Sequence, residues 1–305
     1  MTRVYIRLNG LPGPNAARAP LLERILARAD HRDALPDWRE QAYQLIAGAG
    51  AVMPGIGAAA LCAERGPVDG AAVFVASAIH CEAGMVSVRL PVNGLIELEP
   101  AEAALLAQEF NRDFAGGAQR LLAAPSGRLF CVLAASTAAM THDPLAVRGR
   151  DVGPWLPAGP GGSRLRLLMS EIEMWLFEHA LNRTRVARGD ASITGLWLWG
   201  GGAPLATLPQ LDGWTAGADL LFGAWAVRSS FPREPRSGVV VLDTEPGSEP
   251  WQAVQEAWLA PALTALGARR IRQLDLAIGA QTLALRNLWS LRVWRRARPW
   301  WEYAQ

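Results

Sequence analysis

Apolar and polar positions alternate along Arg3–Leu8, "RVYIRL", and the run ends in Asn9-Gly10, the pattern of a strand entering a turn. The period changes at Ala19–Ala29, "APLLERILARA", where apolar residues recur every three to four positions and predict a helix. Asp37–Ala47 predicts a second helix, and "MPGIGAAALCAERGP" a Pro-Gly turn opening a helix of small residues. "AAVFVASAIHCEAGMVSVRLPV" reads as two strands around Glu82–Gly84. "EPAEAALLAQEFNRDF" is an amphipathic helix with Glu99 and Glu102 near its N-terminus, where the helix dipole favours acids. Arg128–Ala134 predicts a further strand.

Gly149–Ser163, "GRDVGPWLPAGPGGS", is rich in glycine and proline and predicts a loop. From Arg164 to Asn182 the spacing of Leu165, Leu168, Ile172, Trp175 and Leu176 predicts one long helix, with His179 on the same stripe. Beyond it, Leu196–Trp199 predicts a strand, Asp219–Val227 a helix, Gly238–Glu245 a buried strand, Trp251–Leu266 a helix and "IRQLDLAIG" a strand. Strand, helix and strand in that order favour a parallel sheet with right-handed crossovers. No repeat of fixed period and no long linker interrupts the chain.

Composition narrows the chemistry. The chain has 305 residues, 50% of them hydrophobic, enough for a sizeable core without disulfide or metal staples. A net charge of +2 gives no electrostatic ground for a nucleic-acid partner. No stretch of about 20 apolar residues predicts a membrane span. All 30 basic residues are arginine, which excludes lysine Schiff bases, lysine nucleophiles and the P-loop lysine. Cys62, Cys81 and Cys131 lie far apart in apolar runs, as reduced thiols do, and "MTRVYIRLNGLPGP" has no apolar signal-peptide region; the expected location is cytoplasmic.

Several groupings then compete with plainer structural readings. Gly200–Gly202 follow two tryptophans in "ITGLWLWGGGAPL"; no helix starts directly after them, so a strand end needing positive φ fits better than a phosphate cradle. His31, His80, His142 and His179 show no metal-ligand spacing. Glu171 and Glu178 share a helix face, and His179, Asn182 and Arg183 stand at i, i+3 and i+4, able to present donors to an anion, with His80 lining the same cleft. Ordinary helix C-terminal polarity explains the same residues. Asp243 and Glu245 end an apolar strand, the edge where open α/β sheets bind ligands, although a solvated strand end looks the same. "LWSLRVWRRARPWWEYAQ" alternates tryptophan with arginine and reads as a tail docked over apolar surface.

Together "SEIEMWLFEHALNRTRVARGDASITGLWLWGGG", "GRDVGPWLPAGP" and "IHCEAGMVSVRLP" resemble, across about Val73–Gly202, bacterial RpfE-type regulatory proteins. These are often labelled cofactor-independent phosphoglycerate mutase and are similar to the archaeal-type enzymes of the alkaline phosphatase superfamily. The resemblance implies an α/β fold: an alkaline-phosphatase-like core with a mostly parallel sheet over 1–70 and 203–305, and a smaller inserted α+β domain over 71–202. It also implies a two-metal site, which this sequence departs from. Asn9-Gly10 stands where the active relatives have Asp-Gly, Gly13 where a second aspartate helps, and Ile56-Gly57 near the place of the serine nucleophile. No histidine follows His179, so Asp243, Glu245 and Asp275 alone remain as weak ligands for Mn or Mg. His179 and Asn182 match the family's H-x-x-N run, whereas Arg183 follows the asparagine directly.

The expectation is a catalytically degenerate, pseudoenzyme-like protein with no cofactor. It would act in regulation by binding a small anion or a protein partner, through His179, Asn182, Arg183, His80 and Glu171. An active metal-dependent mutase or phosphatase with atypical ligands, and a structural partner docking through the Trp/Arg tail, are the alternatives.

Overall fold

The computed structural model describes residues 2–9, 19–33, 38–225, 227–234, 236–243, 251–279, 281–287, 292 and 294–299. Gly10, Gly13, Glu245 and most of the Trp/Arg tail lie outside the described residues. The chain forms two compact units, one of Met1–Met53 with Pro209–Gln305 and one of Pro54–Leu208.

The first unit opens with β1 (Arg3–Leu8), α1 (Pro20–Arg28), β2 (Asp30–Asp33) and α2 (Trp38–Ala47). The chain then builds the whole second unit: α3 (Ile56–Arg65), β3 (Ala72–Ile79), β4 (Glu82–Ala83), β5 (Val88–Leu90), α4 (Pro100–Asp113), β6 (Gln119–Ala123), β7 (Leu129–Leu133), β8 (Arg150–Asp151), α5 (Gly162–Phe177), α6 (Ala180–Ala187) and β9 (Gly195–Gly202). It returns to the first unit with β10 (Trp214–Gly217), β11 (Val227–Arg228), β12 (Gly238–Leu242), α7 (Trp251–Val254), α8 (Ala260–Gly267), β13 (Gln273–Ile278) and β14 (Gln281–Arg286).

In the first unit seven strands run in the order β11-β10-β12-β1-β13-β14-β2. β1 lies between β12 and β13 and is parallel to both, with the helical segment 251–267 as the crossover between them. β14 runs against the rest and pairs antiparallel with both β13 and β2. The alternation of β1 sorts its side chains: Val4, Ile6 and Leu8 are fully buried in a core with Leu22, Ile25, Leu259 and Leu266, leaving Arg3, Tyr5 and Arg7 for the opposite face. The expected helix 251–266 contains a π turn over Gln255–Leu259. Pro261 has no N–H to offer the Ala257 carbonyl, and the Phe231 N–H bonds that carbonyl instead, at 3.2 Å.

Other expectations are corrected. Asp219–Val227 is not a helix: one 3₁₀ turn forms at Phe222–Ala224, Gly223 sits in its middle, and Val227–Arg228 is already strand. The predicted helix Arg164–Asn182 breaks at Glu178, so α5 and α6 are separate helices. Within the expected loop Gly149–Ser163 the short strand β8 pairs with β5.

The second unit holds an antiparallel sheet ordered β6-β7-β3-β9 and a small sheet β4-β5-β8. Phe74, Ala76, Leu121, Cys131 and Leu198 on one sheet face pack with Leu106 and Phe110 of α4 and Leu165 and Ile172 of α5. The segment 54–70, expected with the first unit, belongs to the second. Gly57 lets α3 approach β3 so closely that a Cβ there would lie 2.8 Å from the Val75 nitrogen. The glycines of "LWLWGGG" have the same cause. Gly200 takes φ +63°, at a bulge that sets Gly200 and Gly201 of β9 against Phe74 alone of β3, and a Cβ on Gly202 would lie 2.6 Å from Gly55 Cα. They are packing glycines on a strand, and no phosphate loop forms there.

Candidate functional site

The residues read as an anion site gather around the segment 191–194, which leads into β9. Asn182 is buried, and its amide is fully used: Nδ2 donates to the carbonyls of Leu176 and Ile193, both at 2.8 Å, and Oδ1 accepts from the Ile193 N–H at 2.7 Å. His80 donates from Nδ1 to the Ser192 carbonyl at 2.8 Å. Arg185 donates from Nε to the Ala191 carbonyl at 2.9 Å, and Thr194 accepts from the Cys81 N–H at 2.8 Å. All four residues of "ASIT" are thereby held, and the polar groups around them act as a brace. Arg185 completes it through Glu102, 2.7 Å away, whose other oxygen takes Arg188 at 2.8 Å.

His179 is the N-cap of α6. Its Nδ1 accepts from the Leu181 N–H at 3.2 Å, which places the ring proton on Nε2. Nε2 lies 2.8 Å from Glu109 Oε2, but the ring N–H is not aligned on it. Trp175 packs edge-on at 4.5 Å. Burial pushes the His179 pKa below the usual histidine value, against the opposing pull of Glu109 and Asp113. The break at Glu178 takes His179, Asn182 and Arg183 off the face of α5, so Glu171 does not join them. Arg183 is exposed and donates to the Glu178 carbonyl at 2.8 Å. The structure thus brings Asn182 and His80 onto adjacent residues of one segment and leaves Glu171 and Arg183 apart from it.

His31 and His142 also bond main-chain carbonyls, of Leu26 at 2.8 Å and Trp155 at 3.0 Å. Burial raises the thiols of Cys81 to about 11 and Cys131 to about 12, so neither is a thiolate nucleophile at neutral pH.

Asp243 and Asp275, the described members of the expected ligand set, lie far apart. Asp275 is buried mid-strand, level with Tyr5, and accepts from Arg3 at 2.7 Å and from Gln273 Nε2 at 2.6 Å. Asp243 follows β12, whose Val239 is level with Tyr5. Four residues of strand, about 13 Å, therefore separate the two carboxylates along the sheet, so they cannot share an ion. Among the described residues no group of three histidine, cysteine, aspartate or glutamate side chains could hold a metal.

One constellation was not anticipated from the sequence. Arg7 sits one row from the C-terminal edge of β1, level with Val241 and Ala277. Its guanidinium lies 4.6 Å from the ring centroid of Trp38, the first residue of α2, and Arg39 lies 4.7 Å from the same ring. Tyr5 stacks on Trp38 at 6.0 Å; burial raises its phenol pKa, and the neighbouring Arg7 opposes that shift. Arg39 is neutralised by Asp219, with Nε and Nη2 each 2.9 Å from Oδ2, while Asp219 Oδ1 accepts from the Leu221 and Phe222 N–H groups at 3.0 and 3.2 Å. Arg7 is half-buried and pairs with no carboxylate among the described residues. The signal available in sequence was two arginines on an alternating strand, with the second on the polar face near the strand's C-terminal end.

No helix among the described residues is long and apolar enough to cross a membrane. No family model matches the chain, and no curated protein matches it. Solved structures similar to it in the course of the backbone include these two. The cofactor-independent phosphoglycerate mutase from Thermoplasma acidophilum DSM 1728 is 13% identical with a TM-score of 0.39, over 93% of this chain and 89% of that one. The PH0037 protein from Pyrococcus horikoshii is 11% identical with a TM-score of 0.42, over 93% and 87%.

Proposed function

We propose that this chain is a catalytically degenerate relative of the phosphoglycerate-mutase-like proteins, of the RpfE type, and that it works by binding a small anion at the C-terminal edge of its parallel sheet. Arg7 carries the reading. Among the described residues this half-buried cation has aromatic neighbours and a phenol but no carboxylate, and a phosphate or carboxylate would supply the missing charge. Where the resemblance places metal-binding acids at the end of the first strand, this chain has the neutral Asn9, and the charge of Arg7 two residues earlier repels a divalent cation. The closure of Asp275 by Arg3 and Gln273 supports the same reading. The anion role expected of Asn182 moves to Arg7, because Asn182 has no donor left to give.

The test is calorimetric titration with phosphate and with phosphoglycerates, beside elemental mass spectrometry after incubation with Mn²⁺ and Zn²⁺ and desalting. Binding should weaken with salt, and Arg7→Gln should weaken it about tenfold or more, the loss of one charge-assisted hydrogen bond. Affinity unchanged in Arg7→Gln would overturn the site. Near two metals per chain would overturn the degenerate reading and favour an active mutase or phosphatase.

A further inference from the structure

The exposed face of α5 carries a second apolar stripe. Leu165, Leu168, Ile172 and Leu176 face the core, yet Leu167 is 63% exposed, Met174 68% and Phe177 87%. With Ser163 and Ser170 these residues recur at spacings of four, three, four and three, the seam of a coiled coil. The flanking charges are divided by end: Arg164 and Arg166 in the N-terminal half, Glu171 and Glu173 in the C-terminal half. That distribution opposes the helix dipole, since α5 has no acid in its first turn and no base in its last. Arg164, Glu171 and Glu173 form no hydrogen bond or ion pair among the described residues, and Arg166 bonds only the Pro157 carbonyl and the Ser163 hydroxyl. Nothing within the described chain offsets the arrangement.

We propose that this face binds a second copy of the same chain, with the two α5 helices antiparallel about a two-fold axis passing between Leu168 and Met169. That register sets Leu167 against Ser170 of the second copy and Ser163 against Met174, a large residue on a small one in every layer. It sets Arg164 against Glu171 and Arg166 against Glu173, each pair made twice by symmetry, as an isologous interface requires. The opposed helices also bring each acidic half beside a basic half, which removes the conflict with the dipole. Phe177 falls level with residue 160, in the Pro/Gly segment ahead of α5.

One helix pair is a small interface, so the dimer is weak and reversible. Sedimentation equilibrium of the full chain should show the weight-average mass rising from one chain toward two between about 1 and about 500 μM. Leu167→Glu should abolish the rise. Arg164→Glu alone and Glu171→Arg alone should each weaken association about tenfold, because each sets like charges face to face. An equimolar mixture of those two variants should recover it, since the mixed pair restores both contacts. Circular dichroism confirms that each variant is folded. A wild-type chain that stays monomeric overturns the proposal and leaves the stripe to a different partner. A dimer indifferent to Leu167→Glu, or a mixture of charge variants that fails to associate, overturns it as well.

Discussion

Arg7 in the first unit and Asn182 in the second are both polar side chains withdrawn from solvent, and they stand in opposite states. Asn182 spends both amide hydrogens and its oxygen on Leu176 and Ile193, so its surroundings are complete without a ligand. Among the described residues Arg7 has a ring face and a phenol for company and no countercharge. A complete hydrogen-bond inventory marks a structural part, and an incomplete charge inventory marks a place where something else binds. Residue type alone, an asparagine or an arginine near a helix end, does not separate the two.

Mutations should sharpen this contrast. The largest effect is expected at Glu102, buried between Arg185 and Arg188: Glu102→Ala strands the buried Arg185 guanidinium and should cost about 3–5 kcal/mol in urea denaturation. Asn182→Leu leaves the Ile193 N–H and two carbonyls without partners and should cost about 2–4 kcal/mol by the same measurement, with no specific loss of anion binding. Arg7→Gln should do the reverse, with loss of anion binding and a stability change within about 0.5 kcal/mol. If Asn182→Leu abolished binding while the fold stayed intact, the contrast would be wrong.

A smaller effect distinguishes His179. Removing its N-cap in His179→Ala should cost about 1 kcal/mol, and His179→Asn, which keeps an acceptor, less. Its pKa is lowered in the fold, so the folded state prefers the neutral ring. The resulting stability is fully present above the unfolded histidine value of about 6.5 and is lost as pH falls through the lower folded value. A denaturation series from pH 7.5 downward should show that slope in the wild type and lack it in His179→Asn.

Much of the architecture was readable because hydrophobic period reports burial. "GVVVL" is a continuous apolar run and "LDLAI" is broken only by Asp275, the pattern of strands covered on both faces. Asp30–Asp33 hid from that reasoning: a four-residue edge strand reading "DHRD" buries almost nothing and is specified by its pairing with β14. The break at Glu178 hid for another reason, because apolar spacing continues across it and only the His179 cap reveals a new helix start. The candidate site was the least legible part. Whether Asn182 serves a ligand or a backbone carbonyl depends on where residues 191–194 pass, and Arg7 meets Trp38 only once α2 has packed on the sheet.

The chain order of the first unit has a consequence during synthesis. β1 is made first, but both of its neighbours, β12 and β13, belong to the last third of the chain. At about 5–20 residues per second, the opening strand emerges from the ribosome roughly tens of seconds before either partner exists. The second unit is one uninterrupted stretch, 54–208, and can fold in that interval. A nascent chain paused with Leu208 just clear of the ribosome would then carry a finished second unit and an unpaired Val4-Ile6-Leu8 ridge. That ridge is where a chaperone would be expected to bind.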